Sequence, residues 1–153
     1  LASFQNVKRR MEVIGKVHKS GGDITIYDDF AHHPTAIHTT IDGLRRQLNA
    51  TGHAADRILA VFEPRSNTMK LGVMTSQLPR ALEAADIAFC HAGGLEWDAR
   101  TALAPMVDRA HVADNIEQLV KQVRAAAKPG DHVLCMSNGG FGGVHGKLLA
   151  ALG

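Results

Sequence analysis

Apolar residues recur along this chain in two periods, and the switches between them mark out the elements. Met11–His18 and Asp23–Asp28 alternate apolar with polar positions on either side of Ser20-Gly21-Gly22, which predicts an antiparallel β-hairpin. From Pro34 the apolar residues Ile37, Ile41, Leu44 and Leu48 follow at helical steps, one stripe of an amphipathic helix with proline in its first turn. Thr51–Asp56 reads as a polar loop and Arg57–Phe62 (RILAVF) as a short buried strand. Met69–Ala85 predicts a helix in which Pro79 starts a new turn or makes a kink. Asp86–Cys90 is a second buried strand. Gly93–Met106 is too rich in Gly, Ala and Pro to assign. Asp114 followed by Glu117 resembles a capping box, opening a helix with Ile116, Leu119, Val120 and Val123 on one face and Pro129-Gly130 at its end. His132–Met136 is the last buried strand, and a final helix runs from Val144 to Leu152.

Short apolar strands alternating with amphipathic helices predict an α/β fold. The expected architecture is a mainly parallel, Rossmann-like sheet with helices on both faces and the antiparallel hairpin at the N-terminus. Such sheets bind ligands at the carboxyl ends of their strands. Three polar loops, DDFAHHPT, EPRSNTMK and SNGGFGGVH, each follow a strand, so the topology places all three on one edge.

Composition narrows the function without naming it. The 153 residues suffice for one domain with a sizeable core. Seventeen basic against fifteen acidic side chains leave +2, with no block of like charge, so neither nucleic acid nor a membrane surface is an expected partner. No apolar run approaches the roughly 18 residues of a membrane span. Cys90 and Cys135 each close an apolar run and read as buried, reduced thiols of a cytoplasmic protein, with a disulfide between them as the lesser alternative. Phe4–Arg10 (FQNVKRR) reads as a linker, and a chain opening on Leu1 in mid-pattern reads as a piece of something longer.

The candidate chemistry gathers at Asp23–Thr35 (DITIYDDFAHHPT), where Asp28, Asp29, His32 and His33 crowd the junction of strand and helix. A carboxylate there suits ribose hydroxyls, and histidine suits a phosphate or a base. A metal centre is the second reading, although Phe30 and Ala31 separate acids from histidines and no further acidic ligands are evident. A histidine capping the Pro34 helix is the structural one. In EPRSNTMK, Arg65 and Lys70 flank the short hydrogen-bonders Ser66, Asn67 and Thr68, a set suited to carboxylate or phosphate oxygens or, more plainly, to an N-capped helix with solvated cations. The glycines of SNGGFGGVHGK permit close backbone approach to a ligand, or simply a tight turn. His18, His38, His53, His91, His111 and His132 show no metal-ligand spacing, and Trp97 reads as packing. No GxxxxGK[ST] motif is present to cradle a triphosphate, so the nucleotide site expected here is half of one.

Arg10-Met11-Glu12 followed by Asp28-Asp29-Phe30-Ala31-His32-His33-Pro34-Thr35 resembles the C-terminal domain of the Mur ligases. Within that family, VFEPRSNTMK and SNGGFGGVHGKLL resemble the branch that acts on a tripeptide. The branch that adds L-alanine would show Phe-Gln-Pro-His-Arg over Phe62–Ser66. The resemblance implies residues 1–10 as a linker from a missing central ATPase domain and 11–153 as the C-terminal domain of a cytoplasmic ATP-dependent ligase. That ligase joins UDP-N-acetylmuramate to L-Ala-γ-D-Glu-meso-diaminopimelate in peptidoglycan recycling. It implies Arg10, Asp28, Asp29, His32 and His33 toward the nucleotide. Arg65, Ser66, Asn67, Lys70, Ser137, Asn138 and His145 are the candidates for the tripeptide, whose three free carboxylates suit cations and N–H donors. ATP and Mg²⁺ would be held mainly by the missing central domain. Neither a catalytic residue nor a metal ligand is expected within this chain. A metal-dependent phosphoesterase and a non-catalytic nucleotide- or peptide-binding module are the rival classes.

Overall fold

The computed structural model describes residues 11–64, 71–93, 98–137, 139 and 141–153. Strands β1 (Glu12–Val17) and β2 (Ile24–Asp29) form the expected antiparallel hairpin. Then follow α1 (Pro34–Ala50), β3 (Ile58–Phe62), α2 (Leu71–Ala81), β4 (Ile87–His91), α3 (Ala99–Leu103), β5 (Ala110–Ala113), α4 (Ile116–Ala126), β6 (His132–Met136) and α5 (Val144–Leu152). The sheet order is β1-β2-β6-β3-β4-β5, and every pairing but β1–β2 is parallel. The last strand in sequence thus lies at the middle of the sheet, between β2 and β3.

Strand alternation splits the core into two layers. Tyr27, Ala60, Phe62, Leu134 and Met136 face α1–α3 and meet the predicted stripe Ile37, Ile41, Leu44 and Leu48. Ile26, Leu59, Val61, Val133 and Cys135 face the other way, against Leu119, Val123, Val144 and Leu148 of α4 and α5. Helices therefore cover both faces, as expected for buried, near-continuously apolar parallel strands.

Three local expectations need correction. The α2 helix ends at Ala81 rather than at Ala85, with Pro79 in its last turn. The unassigned stretch holds α3, capped by Asp98 accepting from Arg100 N at 3.0 Å, and beyond it β5, a strand the periodicity did not reveal. The cap of α4 is Asn115, one residue later than expected: its side chain accepts from Gln118 N at 2.8 Å, while Gln118 Oε1 takes the Asp114 N–H at 2.9 Å.

At the amino edge of the sheet the unassigned histidines turn out to be structural. A carboxylate only accepts, so His132 donates through Nε2 to Asp56 Oδ2 (2.8 Å) and receives the Tyr27 hydroxyl on Nδ1 (2.8 Å). His53 Nδ1 reaches the same Asp56 oxygen at 3.1 Å.

Cys90 and Cys135 are buried free thiols. Burial pushes both thiols up from 9.0, and burial, helped by the Asp56 carboxylate, pushes the Tyr27 phenol up from 10.0. The unfolded chain gives up these protons at ordinary values while the folded chain keeps them. Stability should therefore fall as pH rises past 9, and these groups contribute no slope below it. Urea unfolding at neutral pH and at about pH 10 measures the difference; equal midpoints would show that the three groups ionise freely in the folded protein.

Candidate functional site

The ends of β2, β3 and β6 stand side by side. Asp29 pairs with Met136, which pairs with Phe62, and the ladder continues one step further. Ser137 N donates to Asp29 O (3.0 Å), and Glu63 N donates to Met136 O (2.9 Å). The three polar loops therefore leave from one edge, as the topology required.

Asp28 and Asp29 are neighbours on a strand and so point to opposite faces. Asp29 turns toward α1. Its Oδ1 accepts Ala31 N (2.9 Å) and the Thr40 hydroxyl (3.3 Å), and its Oδ2 accepts Met11 N (3.0 Å). A carboxylate offers about four lone-pair positions, so one acceptor position, on Oδ2, is left. A cleft of about 280 Å³ opens beside it, lined by Asp29, Phe30, Ala31, Ala36, Thr39 and Thr40, with the Phe30 side chain partly exposed. Asp28 turns toward α5, where its Oδ1 accepts from His145 Nε2 at 2.9 Å. The structure thus joins two residues that the sequence reading assigned to different ligands.

His32 donates through Nδ1 to Phe30 O (3.0 Å), and its ring lies 4.2 Å from that of His33. His33 occupies the N-cap of α1 with extended backbone, but its side chain makes no capping bond. The capping role considered for a histidine is therefore not the one seen, and the exposed His33 ring faces solvent. With the two acids on opposite faces, they do not converge on a metal. Among the described residues no group of three or more His, Cys, Asp or Glu is placed to hold one.

At the end of β3 the carboxylate of Glu63 links the other loops. Ser137 donates to its Oε1 (2.8 Å) and His91 Nδ1 to its Oε2 (3.1 Å). Ser137 Oγ in turn accepts Gly139 N (3.1 Å). Ser137 is 0% exposed, so its side chain holds the loop rather than facing the cleft. Sequence reasoning passed over Glu63, His91 and Thr40. The available signal was a glutamate directly after a fully apolar strand, a position where an unpaired charge would be costly. Arg10, Arg65, Ser66, Asn67, Lys70 and Asn138 lie outside the described residues, as do the proposed linker and Trp97. No helix among the described residues is long and apolar enough to cross a membrane.

Comparison with known proteins identifies the family. Residues 9–139 match the family model described as Mur ligase, glutamate ligase domain. The chain is 44% identical over 153 residues to the UDP-N-acetylmuramate–L-alanyl-γ-D-glutamyl-meso-2,6-diaminoheptandioate ligase of Escherichia coli, covering 99% of this chain and 32% of that protein. It spans about a third of the curated relatives it matches. The murein peptide ligase of Psychrobacter arcticus superposes with a TM-score of 0.81 at 42% identity, over 95% of this chain and 30% of that one. A crystallised domain from Haemophilus ducreyi, assigned to the same type of ligase, superposes with a TM-score of 0.76 at 44% identity, over 94% of this chain and 100% of its own. By family match and fold, this chain belongs to the Mur ligases as their C-terminal, glutamate ligase domain.

Proposed function

We propose that this domain serves a cytoplasmic ATP-dependent ligase that joins UDP-N-acetylmuramate to L-Ala-γ-D-Glu-meso-diaminopimelate in peptidoglycan recycling. The observation that carries the reading is the alignment of Asp29, Glu63 and Ser137 across the ends of adjacent parallel strands. It gives one edge two functional halves, a nucleotide half at β2 and an acceptor half at β3 and β6.

In the nucleotide half, the remaining acceptor position of Asp29 takes one ribose hydroxyl, and Phe30 lies against the base. Both border the 280 Å³ cleft. The exposed His33 and its neighbour His32 flank that ligand, and Arg10 reaches its phosphates. None of the described residues lining the cleft is cationic, and the triphosphate and Mg²⁺ are assigned mainly to the central domain. ATP phosphorylates the lactyl carboxylate of UDP-N-acetylmuramate. The tripeptide amine then attacks the acyl phosphate, and amide, ADP and phosphate leave. This domain supplies no group to either bond change, and on its own it is inactive.

In the acceptor half, Arg65, Lys70, Ser66, Asn67 and Asn138 meet the tripeptide carboxylates. His145, tied to Asp28, stands on the other side of β2. Ser137 acts through the loop it anchors. Arg65→Lys in the full-length protein is the test, because an ammonium does not reproduce the two-pronged contact of a guanidinium. The tripeptide KM should rise about tenfold or more, with ATP dependence little changed. An unaltered tripeptide titration would return Arg65 to the role of a solvated cation beside a helix start.

A further inference from the structure

We propose that Glu63, together with His91, is a positioning residue for the described part of the glycine-rich loop after β6 (Ser137, Gly139 and Phe141–Gly143) and through it sets the affinity for the acceptor peptide. The proposal rests on the ligase reading above.

Glu63 is 8% exposed, and the side chains of Glu63 and His91 are 11% and 13% exposed. A carboxylate removed from water at a strand end is costly unless hydrogen bonds replace its hydration. Here they come from two different strands: Ser137 after β6 (2.8 Å) and His91 at the end of β4 (3.1 Å). Ser137 has a single O–H, and Glu63 receives it. The Ser137 oxygen lone pairs are thereby oriented, and one of them takes the Gly139 N–H at 3.1 Å. The start of the loop is fixed through this chain of bonds.

Toward the other end, His91 packs near the loop. Its ring lies 6.1 Å from that of Phe141, a buried residue. Behind the ring there is no slack: a Cβ on Gly93 would sit 3.1 Å from His91 Nε2 and 2.7 Å from Asp114 O. Phe141 itself has φ of 52°, a left-handed conformation that a bulky residue adopts only when its surroundings impose it. The next residue, Gly142, has φ of 57°, and a Cβ there would meet Ile116 Cγ1 at 2.9 Å. The described part of the loop is thus tied to Glu63 at Ser137 and Gly139, strained at Phe141 and left-handed at Gly142, so its shape depends on the carboxylate beneath it. On the ligase reading, the acceptor peptide is the ligand that meets this loop.

The experiment compares Glu63→Ala and Glu63→Gln in the full-length protein. Glutamine keeps an acceptor for Ser137 and nearly the same volume. Glu63→Ala should raise the tripeptide KM about tenfold or more, leave the KM for ATP and for UDP-N-acetylmuramate within about threefold, and speed amide exchange at Gly139. Glu63→Gln should recover most of the tripeptide affinity and the Gly139 protection. A folded Glu63→Ala protein with unchanged tripeptide KM would overturn the proposal. So would a loss confined to the amount of folded protein with all three KM values intact. Should Glu63→Ala not fold, an unprotected Gly139 in the folded Glu63→Gln protein would overturn it equally. A wild-type protein that does not ligate the tripeptide would instead reject the ligase reading, and Gly139 exchange would still decide whether Glu63 holds the loop.

Discussion

Asp29→Ala should raise the ATP concentration needed by the full-length protein about 10- to 100-fold and also destabilise this domain by about 2–3 kcal/mol. Both effects follow from one carboxylate. Its removal leaves Met11 N, Ala31 N and the Thr40 hydroxyl without their acceptor. Those donors tie the first described residue of β1's approach, the turn after β2 and the middle of α1 to one point. The structural share is therefore larger than the sequence alone implied, where Asp29 stood as a ligand contact only. Asp29→Asn separates the shares further. Its amide oxygen still serves Ala31 and Thr40, but its amide nitrogen faces the Met11 N–H, donor against donor. Asparagine should thus recover part of the stability and little of the ATP affinity. Urea unfolding combined with ATP titration decides the matter: lost stability with an unchanged ATP KM in the folded fraction would make Asp29 purely architectural.

How much of this was legible beforehand depended on the range of the interactions involved. The buried strands β3 and β6 announce themselves as unbroken apolar runs, and α1 as a stripe of Ile37, Ile41, Leu44 and Leu48, because burial is written locally. The common edge of the three loops follows from strand polarity alone. By contrast, β5 is four residues long, lies at the sheet's rim and has three residues only partly buried, so it carries too little pattern to register. The α4 cap slipped by one because Asp114 and Asn115 are both good capping residues, and Gln118 settles the choice by bonding to both. The split between Asp28 and Asp29 was readable in principle from strand alternation. Its consequence, the Asp28–His145 bond, spans 117 residues and was not. Glu63 was hidden for the same reason: its partners Ser137 and His91 are 74 and 28 residues away, among other contacts, and no local pattern connects them.

The largest loss of stability should come from the opposite edge of the sheet. Asp131 is 2% exposed, and its carboxylate takes Arg57 in two prongs, Nε to Oδ1 at 3.0 Å and Nη2 to Oδ2 at 2.6 Å. Lys128 N adds a third bond at 2.7 Å, and Arg57 Nη2 also reaches Ala126 O at 2.9 Å. The pair thereby closes the end of α4 onto the starts of β3 and β6. The hydrogen bond to Asp131 holds the Arg57 guanidinium above its ordinary range, against the opposing pull of burial. Asp131→Ala strands a partly buried cation and a backbone N–H together, and should cost about 3 kcal/mol or more. Arg57→Met leaves the more deeply buried carboxylate with Lys128 N alone and should cost at least as much. In the double variant no uncompensated charge remains, so the two losses should fall short of additive by about 1.5 kcal/mol or more. None of these residues borders the candidate site, so the ATP and tripeptide KM values of the surviving folded protein should stay where they were. A loss below about 1 kcal/mol for Asp131→Ala would show the pair to behave as a solvent-screened surface bridge, and additive losses would show that Arg57 and Asp131 stabilise the edge independently.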